Sequence, residues 1–460
     1  MLAACGCAAA SELPEAVRSA LAEAGAEPES LHASVIPLSP GAPLPAFEWG
    51  ADEPVLTASV FKVVTTAAAM DLMGPAKSWQ TGFFAEKAQG RPDTAAALFI
   101  RASGAPWIPV SEFREAVQRL RQAGISRIEG PLVIDRSVFA EPAVDPARFD
   151  GSADRPYNQG HDALALGLQS VTYAFEPDPA AGIARVFRDP EIPGYEAPSE
   201  IALSGGDCPP NLTRALKPEA DESGIRFRGT YPAVCGARAW SAVPWPAAAS
   251  GDRYDGRVFR SLWEASGGAW KGEARTGKVP EGAGFLFSLR SKPLADFVKD
   301  INKNSINPMA RNLFLLIGAP ETGGATLEAS RARLSAWLEE KGIGAAGFAP
   351  DNGSGLSRTE RASARQVAGT LRVAFEAPWA PEFMASLPIA GADGTMKRRP
   401  LGAGSARVKT GYIRGVRSVA GYVKAASGRW YAVCAIINSP AALGARPALD
   451  ALLEEVARRG

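Results

Sequence analysis

The sequence predicts an α+β protein in which a large β-rich insertion interrupts a domain of helices and antiparallel strands. Three observations support this prediction: an apolar helix pattern that follows Thr57, short strand patterns throughout residues 81–282, and an antiparallel meander pattern at residues 407–437.

The helix is predicted for the segment SVFKVVTTAAAMDLMG, from Ser59 to Gly74. It is apolar on nearly every face, which indicates a buried helix. Thr57 is a candidate N-cap, and Gly74 followed by Pro75 is a stop signal. We therefore expect the first turn, which carries Ser59, to face a cleft where helical N–H groups favour an anion.

The meander is predicted from three strand patterns, RVKTGYI, SVAGYVKA and RWYAVCAII. Gly411 in the first pattern would let a substrate backbone lie close against the strand. Another helix is expected after Pro308, with Ser305 and Asn307 at its beginning.

These three places carry an ordered polar triplet: Ser59-x-x-Lys62, Ser305-x-Asn307 and Lys409-Thr410-Gly411. A serine and a lysine three positions apart on a helix share one face, so the amine can take the proton of the hydroxyl. The triplet indicates a serine acyl-transfer enzyme without a catalytic histidine.

Each element also has a simpler interpretation when it is considered alone. Ser59 would then be only a helix cap, with Lys62 in solvent. Ser305 and Asn307 would form an ordinary turn. Lys409 would be a charge on an edge strand. The order and context of all three elements favour the catalytic interpretation.

Composition excludes several classes of function. The chain has 460 residues, 46% of them hydrophobic, and its 50 basic and 49 acidic residues give a net charge of +1. A net charge this close to zero provides no electrostatic field that would attract nucleic acid or an anionic membrane. The length suggests two or three domains. No stretch approaches the roughly 20 apolar residues that span a bilayer.

Histidine and cysteine usage argues against a metal site. The chain has only His32 and His161, and its five cysteines show no C-x-x-C spacing, so neither zinc nor a Ser-His-Asp triad is supported. Cys208 and Cys235 lie in Gly/Pro-rich turns and would close a loop of 27 residues if bridged. A bridge would imply an oxidising compartment, and two free thiols are the alternative.

Two further cysteine predictions concern the core and the N-terminus. Cys434, inside AVCAII, is expected to be an inert core residue. The run from Leu2 to Cys5 is similar to a lipoprotein cleavage box, but no basic region or apolar core precedes it. Either the start is misplaced, or an export segment is missing, or the run is a meaningless tail.

Spacing predicts the domain organisation. Lys62 and Ser305 are 243 residues apart, more than one helical subdomain requires. We expect an N-terminal tail at residues 1–11, a first catalytic segment at 12–80, the insertion at 81–282 and a second catalytic segment at 283–460. In the insertion we expect one helix, SEFREAVQRLRQAG, which ends at Gly124.

The chain resembles the D-alanyl-D-alanine carboxypeptidase/endopeptidases of the penicillin-binding protein 4 type from about Leu13 to the C-terminus. Besides the triplet, the resemblance rests on TASVFKVVTTAAAMDLMGP, GPLVIDRSVFA, Tyr157-Asn158, Asp162-Ala163-Leu164, DINKNSINPMARNLFL, DNGSGLSR at 351–358 and VKTGYIRGVRSVAGYV. It implies a penicillin-binding/β-lactamase-like transpeptidase fold with the insertion after the serine helix. It also implies a periplasmic or envelope enzyme that acts on peptidoglycan stem peptides and is inhibited by β-lactams.

The resemblance implies a role for each residue of the triplet. Ser59 would attack the carbonyl of the penultimate D-alanine, and Lys62 would be the base if its pKa is lowered. Ser305 would relay a proton to the departing amine. Asn307 would hold Lys62 and the substrate amide. No metal or organic cofactor is required.

The remaining implied roles concern substrate binding. Lys409 and Thr410 would bind the terminal carboxylate, and the backbone N–H groups of Ser59 and Tyr412 would form the oxyanion hole. Tyr412 stands where the family usually has a small hydroxyl residue. Arg358 would help to read the side-chain carboxylate of the stem peptide.

Two rival functions remain open at this point. A serine β-lactamase would share the triplet, but we find neither its deacylating glutamate motif nor a Tyr-x-Asn at the usual spacing. A non-catalytic penicillin sensor or scaffold would use the same fold. An intact triplet argues against the scaffold. The balance between terminal D-alanine removal and cross-link cleavage, and the oligomeric state, are not determined by the sequence.

Overall fold

The structure is a computed structural model that describes residues 12–246, 251–321, 323–399, 401–402 and 404–460. The chain forms two compact units. Unit 1 comprises residues up to 77, 293–319 and 326–460, and unit 2 comprises residues 78–292 and 320–325. The segment from Leu2 to Cys5, with its similarity to a cleavage box, lies outside the described residues.

Helices and strands are numbered here in chain order within the described residues. The helices are α1 (Glu15–Glu23), α2 (Phe61–Met73), α3 (Val110–Gln122), α4 (Thr213–Leu216), α5 (Gly251–Ala265), α6 (Leu294–Asn304), α7 (Asn307–Ile317), α8 (Leu327–Glu340), α9 (Ala364–Glu376), α10 (Ala380–Ser386) and α11 (Arg446–Arg459). The strands are β1 (Leu31–Pro37), β2 (Phe47–Trp49), β3 (Val55–Leu56), β4 (Gln80–Ala88), β5 (Arg91–Arg101), β6 (Arg127–Ile128), β7 (Leu132–Asp135), β8 (Val171–Asp178), β9 (Ile183–Asp189), β10 (Glu200–Ser204), β11 (Pro218–Asp221), β12 (Gly224–Phe227), β13 (Tyr231–Pro232), β14 (Arg238–Ala242), β15 (Ala269–Trp270), β16 (Ala274–Thr276), β17 (Gly284–Arg290), β18 (Arg361–Ala362), β19 (Ala406–Ile413), β20 (Val416–Lys424) and β21 (Trp430–Asn438).

The main sheet of unit 1 has the strand order β19-β20-β21-β1-β2, with antiparallel pairs throughout. The predicted meander β19-β20-β21 is therefore confirmed. α1 and α11 contact each other and share one buried apolar cluster with alternate residues of β21, among them Val433 and Ile437. Residues of β21 with the opposite parity, including Cys434, are also buried, and α9 contacts this strand. Both faces of the sheet are thus covered, which places Cys434 in the core.

Helix α2 is buried on nearly every face, as its uniform apolarity predicted. It ends at Gly74, which has a φ of 79°. The predicted N-cap is wrong, because the Thr57 side chain makes no capping hydrogen bond. Instead, Ser59 lies in a 3₁₀ turn, Ala58–Val60, that precedes α2. The carbonyl of Thr57 accepts a hydrogen bond from Ser418 Oγ over 2.7 Å, which attaches this turn to β20.

A sharp turn joins α6 to α7 in unit 1. Ser305 has φ 59° and ψ 40°, a left-handed conformation, and α7 then begins at Asn307 with Pro308 in its first turn. The predicted helix after Pro308 is confirmed. All residues of α7 are buried, so the helix anchors both polar residues of the turn.

Unit 2 contains the strand patterns found between residues 81 and 282. One sheet has the path β15-β6-β5-β4-β17 with β7 and β16 attached, a second has the order β13-β10-β9-β8-β14, and β11 pairs with β12. Strand β17, assigned from the sequence to the second catalytic segment, pairs with β4 in this unit. Helix α3 is followed by Gly124 with a φ of 85°, as predicted.

The expectation of a single helix in the insertion is wrong, because α5 (Gly251–Ala265) and the short α4 are also present. In α5 a buried face repeats at helical spacing through Tyr254, Val258 and Leu262. Gly256 obscured this pattern, since glycine disfavours helix interiors. A Cβ atom at Gly256 would lie 2.6 Å from the Cβ of Ala274, so close packing on β16 requires the glycine.

Cys208 and Cys235 form a disulfide in unit 2, with their Cα atoms 5.0 Å apart. The bridged alternative is thus the one that the structure contains. Among the described helices, none combines the length and the apolarity needed to cross a membrane.

Candidate active site

Ser59 and Lys62 meet at the start of α2. Lys62 Nζ donates a hydrogen bond to Ser59 Oγ over 3.0 Å and another to Asn307 Oδ1 over 2.6 Å. It also donates to the carbonyl of Ser354. The lysine side chain is completely buried, so three protein oxygens replace its water shell. The first two elements of the predicted triplet are therefore in direct contact.

Burial lowers the pKa of Lys62 well below that of an ordinary lysine, and the neighbouring Lys409 lowers it further. The carboxylate of Glu360 acts in the opposite direction and Arg311 in the same direction as Lys409. A lysine with a depressed pKa keeps its neutral amine to lower pH than an ordinary lysine does, and only the neutral form accepts a proton. The environment therefore suits Lys62 to be a base.

Lys409 and Ser305 form a second hydroxyl–amine pair. Lys409 Nζ donates to Ser305 Oγ over 2.9 Å and to the carbonyl of Thr410 over 2.6 Å. Although β19 is an edge strand, the Lys409 side chain is fully buried, and burial lowers its pKa to about 7. The simple interpretation as a solvated edge-strand charge therefore does not fit. The third element of the triplet joins the second.

Gly411 brings β19 against the turn that carries Ser59. A Cβ atom at Gly411 would overlap Ser418 Oγ and would lie 3.0 Å from the amide nitrogen of Ser59. The protein's own packing therefore requires a residue without a side chain here. The same close approach brings the Ser59 amide beside the Lys-Thr-Gly strand, and its role in an oxyanion hole stays a prediction.

The neighbours of Gly411 on β19 face outward. Thr410 Oγ1 donates to Thr395 Oγ1 over 2.8 Å. The ring of Tyr412 is half exposed, and the guanidinium of Arg417 lies 4.2 Å from its centroid. Thr395 was not identified from the sequence, because it lies 15 positions before Thr410 in a segment without a recognised pattern.

Arg358 lies in the segment DNGSGLSR, outside the Ser59–Lys62 contact. Its side chain is exposed, and Nη1 donates to the carbonyl of Arg414 over 2.9 Å. This bond connects the segment to the turn between β19 and β20. The predicted role of Arg358, to bind a carboxylate on the side chain of the stem peptide, stays a prediction.

The sequence interpretation also missed Glu360, and it gave no individual role to Ser354 within the DNGSGLSR segment. Ser354 contributes only its backbone carbonyl to Lys62, and a backbone contact has no side-chain signature. Glu360 is buried, and its carboxylate accepts hydrogen bonds from backbone N–H groups of the preceding loop. Its position just before β18 gave no signal, because acidic residues in loops are usually solvated.

Residues 15–456 match the D-Ala-D-Ala carboxypeptidase 3 (S13) family. The chain belongs to this family. The resemblance seen in the sequence is confirmed, and the protein is an enzyme of the serine D-Ala-D-Ala carboxypeptidase type. The D-alanyl-D-alanine carboxypeptidase of Actinomadura sp. (strain R39) is 29% identical over 437 residues, which cover 88% of this chain and 78% of that protein. The D-alanyl-D-alanine carboxypeptidase DacB of Haemophilus influenzae is 24% identical over 398 residues, which cover 84% of this chain and 80% of that protein.

Solved structures confirm the expected fold. Penicillin-binding protein 4 (dacB) of Haemophilus influenzae matches with a TM-score of 0.72 at 20% identity, covering 96% of this chain and 99% of that one. The same protein in complex with a β-lactam matches with a TM-score of 0.65 at 18% identity, covering 93% and 95%. At these identities the likeness shows the fold, which is the penicillin-binding transpeptidase fold predicted from the sequence.

Proposed function

We propose that the protein cleaves the bond that follows the penultimate D-alanine of peptidoglycan stem peptides through an acyl-enzyme on Ser59. The observation that carries this proposal is the 3.0 Å contact between the buried Lys62 amine and Ser59 Oγ. Lys62 takes the hydroxyl proton as Ser59 Oγ bonds to the carbonyl carbon. The negative charge that develops on the carbonyl oxygen is stabilised by the amides of Ser59 and Tyr412.

Ser305 serves the departing amine, and Lys409 holds its hydroxyl in place through the 2.9 Å hydrogen bond. As the tetrahedral adduct collapses, the C–N bond breaks, and the leaving D-alanine amine takes, through Ser305, the proton that Lys62 removed from Ser59. Asn307 supports this step because its Oδ1 already accepts a hydrogen bond from Lys62. A water molecule then attacks the ester carbonyl, the bond to Ser59 Oγ breaks, and the serine regains its proton. Only groups of this chain and water take part.

The substrate carboxylate is bound at β19. The buried Lys409 supplies positive charge, and the Thr410 hydroxyl, which donates to Thr395 Oγ1 in the structure, would donate to the carboxylate instead when substrate binds. Arg358 is the candidate reader of a carboxylate on the stem-peptide side chain, because its exposed guanidinium is tied to the turn that follows β19. Terminal D-alanine removal and cross-link cleavage break the same type of bond, and the proposal includes both.

We propose a periplasmic or envelope location for this activity. The Cys208–Cys235 disulfide supports it, because disulfides persist in oxidising compartments. The bacterial relatives that are named as D-Ala-D-Ala carboxypeptidases support it as well. Binding of β-lactams at Ser59 is part of the same proposal.

Covalent labelling by a fluorescent penicillin tests the proposal. Wild-type protein and its Ser59→Ala variant are incubated with the label, and the adduct is followed by intact mass. We expect a long-lived adduct on the wild type that is absent from the variant, together with D-alanine release from a D-Ala-D-Ala peptide. Fast penicillin turnover would indicate a β-lactamase instead. Absence of both adduct and turnover would indicate a non-catalytic scaffold.

A further inference from the structure

The loop of residues 351–355 packs against two catalytic candidates, Lys62 of α2 and Ser59 of the 3₁₀ turn that precedes it. The Ser354 carbonyl accepts a hydrogen bond from Lys62, and the Gly353 carbonyl accepts one from Thr65 Oγ1 over 2.7 Å. Gly355 has a φ of 76°, and a Cβ atom there would lie 2.8 Å from the Cα of Ser59. The position of this loop therefore determines the surroundings of Lys62 and Ser59 together.

Glu360 organises the 351–355 loop from within. One carboxylate oxygen, Oε1, accepts hydrogen bonds from the amides of Asp351, Asn352 and Gly353 over 2.9, 3.1 and 2.7 Å. The other oxygen, Oε2, accepts one from the amide of Gly355 over 2.6 Å. Only 1% of Glu360 is exposed, so these donors replace water around the carboxylate. Four amide dipoles thus converge on one side chain.

Strand pairing connects Glu360 to the turn that carries Ser59. Glu360 directly precedes β18, which pairs with β3 through Arg361 opposite Leu56 and Ala362 opposite Val55. Strand β3 leads through Thr57 into the turn that carries Ser59. The carboxylate therefore connects the loop that contacts Lys62 with the strand that delivers Ser59.

We propose that Glu360 is a positioning residue for Lys62: its carboxylate holds the 351–355 loop so that the Ser354 carbonyl stays on the lysine amine. This inference rests on the proposed role of Lys62 as the base. Glu360 itself does not touch the reacting atoms. Its effect passes through the 351–355 loop and through the electrostatic field at Lys62.

The charges around Lys62 determine the direction in which its pKa should change when Glu360 is replaced. Lys409 on β19 and Arg311 on α7 lower the pKa of Lys62, and the carboxylate of Glu360 raises it. Burial raises the pKa of Glu360, as does Asp351, whereas the backbone N–H donors lower it. Removal of the Glu360 charge therefore lowers the pKa of Lys62, and the neutral base persists at lower pH.

The experiment measures the rate of acylation by a fluorescent penicillin between pH 5 and 10 for the wild type and four variants. Glu360→Gln removes the charge and leaves one oxygen for the three amides at Oε1, while its NH₂ group opposes the amide of Gly355. We expect the acid limb of the profile to move to lower pH and the plateau rate to fall by about 10- to 100-fold. Asp351→Asn, which removes a carboxylate of the same loop, should leave the limb unmoved.

Glu360→Asp separates charge from geometry. It retains the carboxylate but is one methylene shorter, so the plateau rate should fall while the acid limb stays in place. It also keeps the inference testable if Glu360→Gln fails to fold, which thermal unfolding would reveal. An unchanged profile in either Glu360 variant would overturn the inference. If Lys62→Ala were acylated as fast as the wild type, the proposed function of Lys62 would fail instead, whatever the Glu360 variants show.

Discussion

Lys409 and Ser305 form a hydrogen-bonded pair, with 2.9 Å between Nζ and Oγ, that repeats the Lys62–Ser59 arrangement. Both lysines are fully buried, and the charge of Lys409 raises the free energy of the protonated form of Lys62, since two like charges are unfavourable in a low-dielectric site. A change at Lys409 should therefore alter the proton affinity of Lys62.

Replacement of Lys62 by arginine should reduce acylation by a penicillin about 10²- to 10⁴-fold, although the positive charge is retained. The reason is that a guanidinium stays protonated in proteins and cannot accept the Ser59 proton. Labelling rates at pH 7.5 provide the measurement. Lys77→Arg, at an exposed position beyond the end of α2, is the matched control and should label normally. Normal labelling of Lys62→Arg would refute the role of Lys62 as a base.

The stability of the protein should depend on pH through Lys409. Its pKa is about 7 in the fold and 10.5 in an ordinary lysine, so between these values the unfolded chain binds more protons than the native one. The contribution of this group to the free energy of unfolding therefore rises with pH in this window, by at most about 1.4 kcal/mol per pH unit.

Urea unfolding at pH 7.5, 8.5 and 9.5 tests this expectation in the wild type and in Lys409→Met. The variant keeps the apolar volume but has no titratable amine, so the rise with pH should be smaller than in the wild type. Parallel pH curves would mean that Lys409 titrates normally in the fold.

Introduction of a methyl group at Gly411 should slow acylation about 10- to 100-fold, because β19 and the serine turn must separate to make room. The added Cβ atom would lie 3.0 Å from the Ser59 amide and would overlap Ser418 Oγ. Overpacking of this kind costs about 1–3 kcal/mol in stability.

Labelling rate and thermal unfolding of Gly411→Ala are the two measurements. Gly282→Ala is the control, because a Cβ atom at Gly282 meets nothing within 4 Å. A Gly411→Ala protein with wild-type labelling would show that the close approach of β19 to Ser59 is unimportant for acylation.

Loss of the Cys208–Cys235 disulfide should destabilise the protein. The bridge closes a loop of 27 residues, which corresponds to about 3–4 kcal/mol in the chain-entropy model. For a unit of this size the unfolding temperature should fall by roughly 10 °C. Thermal unfolding with and without a reductant checks this in the wild type and in a Cys208→Ser/Cys235→Ser variant. The reductant should lower the unfolding temperature of the wild type alone.

Local patterns predicted the parts of the fold that depend on one segment at a time. The apolarity of α2, the three strands of the meander and the beginning of α7 after Pro308 are each encoded in neighbouring residues. The helix α5 was missed because Gly256 has a low helix propensity, yet its contact with Ala274 requires it. The Thr57 cap failed because a 3₁₀ turn comes between this residue and α2.

The sequence by itself determined the candidate catalytic residues and the resemblance to the family. Both follow from the types of residue in the triplet and from their order along the chain. The sequence also indicated the candidate disulfide, because Cys208 and Cys235 both lie in Gly/Pro-rich turns.

The tertiary structure decided the protonation chemistry of the site. The pKa of a lysine depends on desolvation and on nearby charge, and both come from segments hundreds of residues apart. Lys62 receives its surroundings from Ser354, Glu360 and Lys409, none of which is local to it in the chain. A sequence can name the amine that would serve as a base, but only the fold removes its water and brings the charges that set its proton affinity.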